Sequence, residues 1–201
     1  MKKVGPVCLL AAFAVFLGVA FTVFCRNTDD PFITYRYAKN LVRGYGPVFN
    51  AGERVEGFTS PLHMLVSALL LLVVGQSHVL FAAKLFGIGC SLVAIGLVYS
   101  MISQLLRSRL FSVAAALLLA SNPWMVLSSV NGLETAMTGM LVAIAARLQI
   151  SQKAGHYSRG LPVVAFLICA ARPEGFLLAV VMLVYAVWWT EPISRRKAFR
   201  A

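Results

Sequence analysis

Apolar runs follow one another along most of this chain, separated by short links, and that alternation restricts the fold more than any other feature. The runs stand at 4–24, 79–101, 110–130 and 135–150, and a longer one from 161 to 190 is interrupted by Arg172-Pro173-Glu174-Gly175. A helical bilayer crossing takes roughly 20 predominantly apolar residues. Inside hydrocarbon every backbone polar group must find its partner within the protein, which makes helices the fitting element for such runs. Composition agrees: 60% of the 201 residues are hydrophobic and 12% charged, against about 25% charged in a soluble domain. The expected fold class is all-α, a polytopic transmembrane helical bundle of about six spans. Residues 1–190 form the transmembrane module and 191–201 a basic C-terminal tail.

The net charge of +11 would suggest nucleic acid as partner for a soluble chain. Here Lys and Arg sit in the links between apolar runs, as the positive-inside rule expects, and the reading is a lipid bilayer and no nucleic acid. Lys2 and Lys3 precede an apolar run to Phe24 that is longer than a signal-peptide core and is followed by no small-x-small cleavage pattern. The first run therefore reads as an uncleaved span starting in the cytoplasm. Cys8, Cys25, Cys90 and Cys169 have neither CxxC nor CxxH spacing and read as packing residues.

The stretch 61–75 is apolar but short for a crossing, and whether it crosses decides the topology. If it lies on or dips into the outer face, and 161–190 is a hairpin bent at Pro173-Gly175, eleven basic residues lie inside. These are Lys2, Lys3, Arg107, Arg109, Arg147, Lys153, Arg159, Arg195, Arg196, Lys197 and Arg200. If it crosses, only Lys2, Lys3, Lys84 and Arg172 stay inside. The first arrangement is preferred; one long kinked helix over 161–190 is its rival and would place the basic tail outside. The preferred topology puts Asp29, Asp30, Glu53, Glu56, Glu134 and Glu174 on the outer side, near the ends of spans, with Glu191 inside. Acids so near a bilayer are costly and mark functional cavities.

The first outer loop, 26–60, is long for a connector and rich in aromatics: Phe32, Tyr35, Tyr37, Tyr45, Phe49 and Phe58. Asp29-Asp30-Pro31 predicts a helix start, with an Asp cap and Pro in the first turn. Apolar spacing from Pro31 to Arg43 predicts an amphipathic helix with Phe32, Tyr35, Ala38, Leu41 and Val42 on a membrane-lying face. Arg36, Lys39 and Arg43 mark the other face, and Gly44 and Gly46 end the helix. Pro47 to Thr59 reads as tight turns carrying Glu53, Arg54 and Glu56. A cap explains one Asp, not two adjacent ones facing a second acidic turn. Carboxylates can accept a proton from an attacking hydroxyl or offer hard oxygens to a divalent cation. Both suit transfer of a sugar from a lipid phosphate, and Arg54, Arg172 or Lys84 could meet the leaving phosphate.

The run DDPFITYRYAKNLVRGYGPVFNAGERVEGFTSPL, with its ordered DD, YRYA-NL, G-G-VFN and GERVEG elements, resembles the first outer loop of GT-C-class membrane glycosyltransferases. The nearest branch is that of the terminal arabinofuranosyltransferases of actinobacterial cell walls, matched in its N-terminal part only. Gly132-Leu133-Glu134-Thr135 and Arg172-Pro173-Glu174-Gly175 are weaker matches downstream. The resemblance implies a polyprenyl-phosphate sugar donor, a cell-envelope glycan or lipid acceptor, and action on the outer face of the cytoplasmic membrane. It implies Asp29 or Asp30 as catalytic base. Tyr35, Arg36, Arg54, Glu56, Thr59, Glu134, Arg172 and Glu174 are expected to shape the substrate pocket. Members usually have many more spans, so this chain reads as a truncated or split form with a second membrane subunit as a candidate partner.

Two other classes compete: a transporter of lipid-linked sugars, and a non-catalytic membrane partner. Transport sites are built at the bilayer midplane from interrupted helices in paired repeats, whereas these charges gather at one face. His63 reads as an interfacial histidine at the outer end of an apolar helix, His78 and His156 as solvated turn residues, and Trp188 and Trp189 as interfacial anchors. No Walker, GxGxxG or HExxH motif occurs.

Overall fold

The structure is a computed structural model that describes residues 4–53, 55–151 and 158–190, with side chains from Val7 to Tyr185 within those ranges. The basic tail and Arg54 lie outside the described residues. The described chain is all-helical: α1 Val4–Val23, α2 Asp30–Val42, α3 Pro61–Val74, α4 Val79–Leu106, α5 Arg109–Ala120, α6 Pro123–Val130, α7 Thr135–Ser151, α8 Gly160–Ala171 and α9 Gly175–Thr190.

Direction along the bundle follows from contacts between helix ends. Lys84, near the start of α4, donates through Nζ to the Phe24 and Arg26 carbonyls at 2.6 and 2.7 Å and to Asn27 Oδ1 at 2.8 Å. The end of α1 and the start of α4 therefore share one end of the bundle, called here the loop end. At the opposite end Gln104 of α4 bonds to the Ile150 carbonyl of α7 at 3.4 Å. One turn on from Lys84, a Cβ on Gly87 would overlap the Ser129 carbonyl, so α4 and α6 meet backbone to backbone. Van der Waals packing between small residues drives such close approach where lipid surrounds the helices.

The stretch 61–75 contains α3, which packs on α2. Near the start of α3, His63 lies beside Tyr35, ring centroids 6.5 Å apart. Toward its end, Leu71 and Val79 line a small hollow with the same Tyr35. The helix thus lies along α2 at the loop end, with Leu65, Leu69, Leu72 and Val73 exposed. Residues 160–190 form a hairpin. Leu148 of α7 reaches within 3.4 Å of a Cβ built at Gly160, and Gln149 donates to the Met182 carbonyl at 2.7 Å. The start of α8 and the middle of α9 thus meet the same end of α7, which a single kinked helix could not do.

Two expectations change. The run 110–130 is two helices, not one. Asn122 accepts from the Met125 amide at 3.1 Å and Pro123 opens α6, so a new helix is capped at 54° to the old one. Among the residues whose side chains are described, one helix, Val79–Leu106, is long and apolar enough to cross a bilayer alone, and the bent pair α5–α6 makes a second candidate. The other apolar helices are shorter over the described residues: the 12 residues of α8 rise about 18 Å against a hydrocarbon core of about 30 Å.

Replacing Lys84 by Met keeps the stem and removes the donors from two backbone carbonyls and Asn27. A buried acceptor left without a donor costs about 1–3 kcal/mol. The Lys84→Met chain in detergent is expected to melt several degrees lower, followed by near-ultraviolet circular dichroism. An unchanged midpoint would mean that water replaces the ammonium at no cost.

Candidate functional site

The loop end carries the acids singled out in the sequence. Asp29 occupies the N-cap position of α2 without a side-chain capping bond, and Pro31 follows within the first turn. Both Asp29 and Asp30 are exposed. Proline in the first turn fits because its missing N–H is one that a helix start leaves unpaired anyway. With no capping bond, the Asp29 carboxylate projects into solvent at the rim of the bundle end.

Thr28 Oγ1 donates to the Asn131 carbonyl at 3.5 Å, which joins this rim to the turn between α6 and α7. Asn131 folds back to accept from the Leu133 amide at 2.9 Å. Gly132 follows at φ +77°, and a Cβ there would stand 2.6 Å from the Tyr35 hydroxyl. Tyr35 donates to the Gly132 carbonyl at 2.9 Å. Glycine is the residue that meets both demands, the left-handed backbone and the close hydroxyl.

Glu134 ends this turn and is nearly buried at 8% exposure. Its carboxylate pairs with Arg172 Nη2 at 2.7 Å, and the same nitrogen donates to Thr135 Oγ1 at 3.2 Å. Arg172 Nη1 pairs with Glu174 at 3.0 Å. The guanidinium fork is held on two sides and remains partly exposed, at 36% of its side chain. Burial opposes its charge, and the hydrogen bonds and charges of Glu174 and Glu134 outweigh that, raising its pKa above the usual arginine value. The Glu174 carboxyl is lowered by its own backbone N–H first and by Arg172 second. The exposed Glu174 arm contributes little stability. The Glu134 arm matters more, because removing Arg172 would strand a buried carboxylate.

A groove of about 470 Å³ lies between α4, α6 and α7, and Thr135 is the residue of this cluster that lines it. Thr135, Gly139, Val142, Ala143 and Ala146 form one wall down α7. The run from Thr135 to Ala146 rises about 16 Å. The lining is predominantly apolar, with Trp124 and Met125 on the facing wall.

Asp29, Asp30, Glu134, Arg172 and Glu174 therefore belong to neighbouring turns at one end of the bundle. Others stand elsewhere. Tyr35 and Ala38, expected on a membrane-lying face, are buried at 4% and 0%, while Phe32 and Val42 of that face are exposed. Tyr35 supports the Gly132 turn from behind, and burial raises its hydroxyl pKa. Arg36 donates to the Phe49 carbonyl at 3.0 Å. Glu56 lines a separate hollow of the loop, and Thr59 is exposed just before α3. Lys84, a phosphate candidate in the sequence, is taken up by the end of α1. Among the described residues no three of His, Cys, Asp and Glu gather as a metal site.

One residue near the cluster carried only an interfacial reading. His63 is 2% exposed, its Nδ1 has no hydrogen-bond partner, and neither has Ser67 Oγ one turn later on α3. Its pKa lies below the usual 6.5, because burial disfavours the charged ring more than the Glu134 carboxylate favours it. The i, i+4 spacing of His63 and Ser67 was the available signal.

Over 71 residues the chain is 41% identical to a terminal β-(1→2)-arabinofuranosyltransferase of Corynebacterium glutamicum. The match takes in 34% of this chain and 10% of that protein, so the chain spans a small part of the relative it matches. No family model matches the chain, and no solved structure does. The similarity gives a partial resemblance to a glycosyltransferase.

Burial of neutral His63 sets a pH dependence. Between the usual value near 6.5 and the lower folded value, the unfolded chain binds the extra proton, so stability falls as pH drops through that window. Above it the contribution is constant. Melting midpoints from pH 7.5 to 4.5 are expected to decline below about 6.5, and His63→Gln is expected to flatten that part of the curve. Parallel curves for both chains would show that His63 is not neutral in the fold.

Proposed function

We propose that this chain carries the outer catalytic face of a membrane glycosyltransferase acting on a polyprenyl-phosphate sugar. In this reading α1, α4, α5 with α6, α7, α8 and α9 are the six membrane passes, and α2 and α3 lie at the outer interface. The active face points outward from the cytoplasmic membrane. The observation that carries the reading is a partly exposed Arg172 fork bonded to Thr135, a residue that also lines an apolar groove running down α7. A phosphate on a long apolar tail is the ligand class that satisfies both at once. The fork meets the anion with paired donors, and the groove takes the first units of the chain out of competition with lipid.

The chemistry follows from the neighbouring acids. An acceptor hydroxyl attacks the anomeric carbon, and the bond between that carbon and the phosphate oxygen breaks. The phosphate leaves with the bonding electrons and rests against Arg172, with Glu134 holding the guanidinium in place. The hydroxyl proton passes to the carboxylate of Asp29 or Asp30. The acceptor is a glycan or lipid of the cell envelope, and a pentofuranose is the sugar suggested by the relative's name.

The test uses a synthetic polyprenyl-phosphate pentofuranose and the full chain in nanodiscs, with binding and transfer to an alcohol acceptor measured separately. Arg172→Ala is expected to weaken donor binding at least tenfold, equal to about 1.4 kcal/mol. Gly139→Leu is expected to weaken it too, because a Cβ at Gly139 meets nothing within 4 Å and the added side chain occupies the groove that this residue lines. Asp29→Asn with Asp30→Asn is expected to leave donor binding and abolish transfer. Donor binding indifferent to both Arg172 and Gly139 would sink the placement of the donor.

A further inference from the structure

Beyond the acidic end of α2, the loop that follows this helix encloses a second hollow of about 470 Å³, lined by Tyr45, Pro47, Val48, Glu56 and Phe58 among others. We infer that it is a subsite for a neutral oligosaccharide, holding the acceptor glycan away from the point of transfer; the acceptor role rests on the transferase reading above.

The hollow is built by α2 and not by regular structure of its own. Asn40 is 5% exposed, and its Nδ2 donates to the Val48 and Phe49 carbonyls, both at 2.8 Å. Tyr37 is 1% exposed, and its hydroxyl donates to the Val55 carbonyl at 2.7 Å. The Tyr37 ring lies 4.8 Å from that of Phe58 and 5.8 Å from that of Phe49. Arg36 adds its bond to the Phe49 carbonyl at 3.0 Å, and the Tyr45 amide returns to the Asn40 carbonyl at 3.0 Å. Both walls are fixed by donors from adjacent turns of one helix. A ligand entering such a loop does not have to order it, which removes a large part of the usual entropic cost of binding.

The walls are held from within while the rim stays open. Tyr45 is 60% exposed and Val55 62%, and Glu56 is exposed with no ion pair to a described residue. Exposed apolar groups gathered at a concave, polar-rimmed place mark binding surfaces. A sugar presents a face of C–H groups that packs on an aromatic ring and hydroxyls around it that donate to a carboxylate. Tyr45 supplies the ring, and ionised Glu56, which can only accept, supplies the acceptor. Glu56 in the lining would meet an anionic headgroup as a like charge, so a neutral ligand is the fitting occupant of the hollow itself. The loop folds back along α2, where Tyr37 and Asn40 hold the walls of the hollow, and these turns lie about 10 to 15 Å along the helix from Asp30. An extended oligosaccharide spans that distance, so inner units can rest here while the terminal hydroxyl reaches the acids.

The experiment titrates an arabinofuranosyl hexasaccharide against the full chain in nanodiscs by saturation-transfer NMR, with maltohexaose as comparison. Binding is expected. It should weaken about tenfold in Tyr45→Ala, persist in Tyr45→Phe, and weaken several-fold in Glu56→Gln, with unchanged melting midpoints. Absence of hexasaccharide binding by the unsubstituted chain overturns the subsite, and so does binding indifferent to both positions. Binding of anionic vesicles through Tyr45 that the hexasaccharide does not compete away overturns it too. Donor binding measured on the same samples separates the two ideas. Failure of the donor with hexasaccharide binding intact removes the transferase reading and leaves the glycan site.

Discussion

A buried ammonium fixes where this chain turns. Lys84 is 3% exposed, lies 5.1 Å from the centre of the Phe24 ring, and donates to two carbonyls and an amide oxygen at the end of α1. Helix C-termini leave carbonyls without partners and carry partial negative charge, so a cation there is favourable twice over. The contact joins α4 to the chain leaving α1, across about 60 residues of sequence. Everything between, including α2 and α3, becomes an excursion at one end of the bundle. Without that closure the acids of the loop and those of the later turns would have no reason to face the same way.

The excursion is organised by α2, which is used on two sides at once. Toward the bundle, Tyr35 and Ala38 pack on α3, and the Tyr35 hydroxyl holds the turn that leads to Glu134. On another side, Tyr37 and Asn40 bind the loop that follows. Polar and apolar residues are mixed around this helix, so no single apolar stripe holds it to the bundle. Here the polar side chains are the contacts, which explains why Thr34 and Asn40 are buried beside Tyr35 and Tyr37. The same helix presents Asp30 at its first turn and holds the loop hollow through Tyr37 and Asn40, so the spacing along it fixes the separation of the two proposed sites.

At the other side of the loop end, Arg172 depends on the tight turn between α8 and α9. A Cβ on Gly175 would overlap the Ile168 carbonyl, so the hairpin closes over three residues and brings Arg172 back to Thr135 and Glu134. The buried carboxylate and the half-open guanidinium make an asymmetric pair. One partner is enclosed by the protein, and the other stays partly exposed. The groove beneath them is formed where α6, displaced by the break at Asn122-Pro123, leaves α4 and α7 incompletely covered.

Much of this was legible in the sequence. Run lengths and polarity dictate helices, Asp29-Asp30-Pro31 dictates where α2 starts, and Gly44 and Gly46, both at φ +84°, mark its end. These are local or additive properties of the chain, readable from spacing and residue type. The break in 110–130 was legible at Asn122-Pro123 and was masked by the surrounding apolarity. Which face of α2 turns inward was not legible, because its apolar and aromatic residues occupy several sides and the choice depends on what α3 and the turn at Gly132 offer. The roles of Lys84, His63 and Tyr35 depend on partners about 30 to 100 residues away. Sequence determined which elements form and which residue types could serve a site. Tertiary structure alone decided which polar groups are bound up in holding the fold and which remain free, since that follows from distances no local pattern encodes.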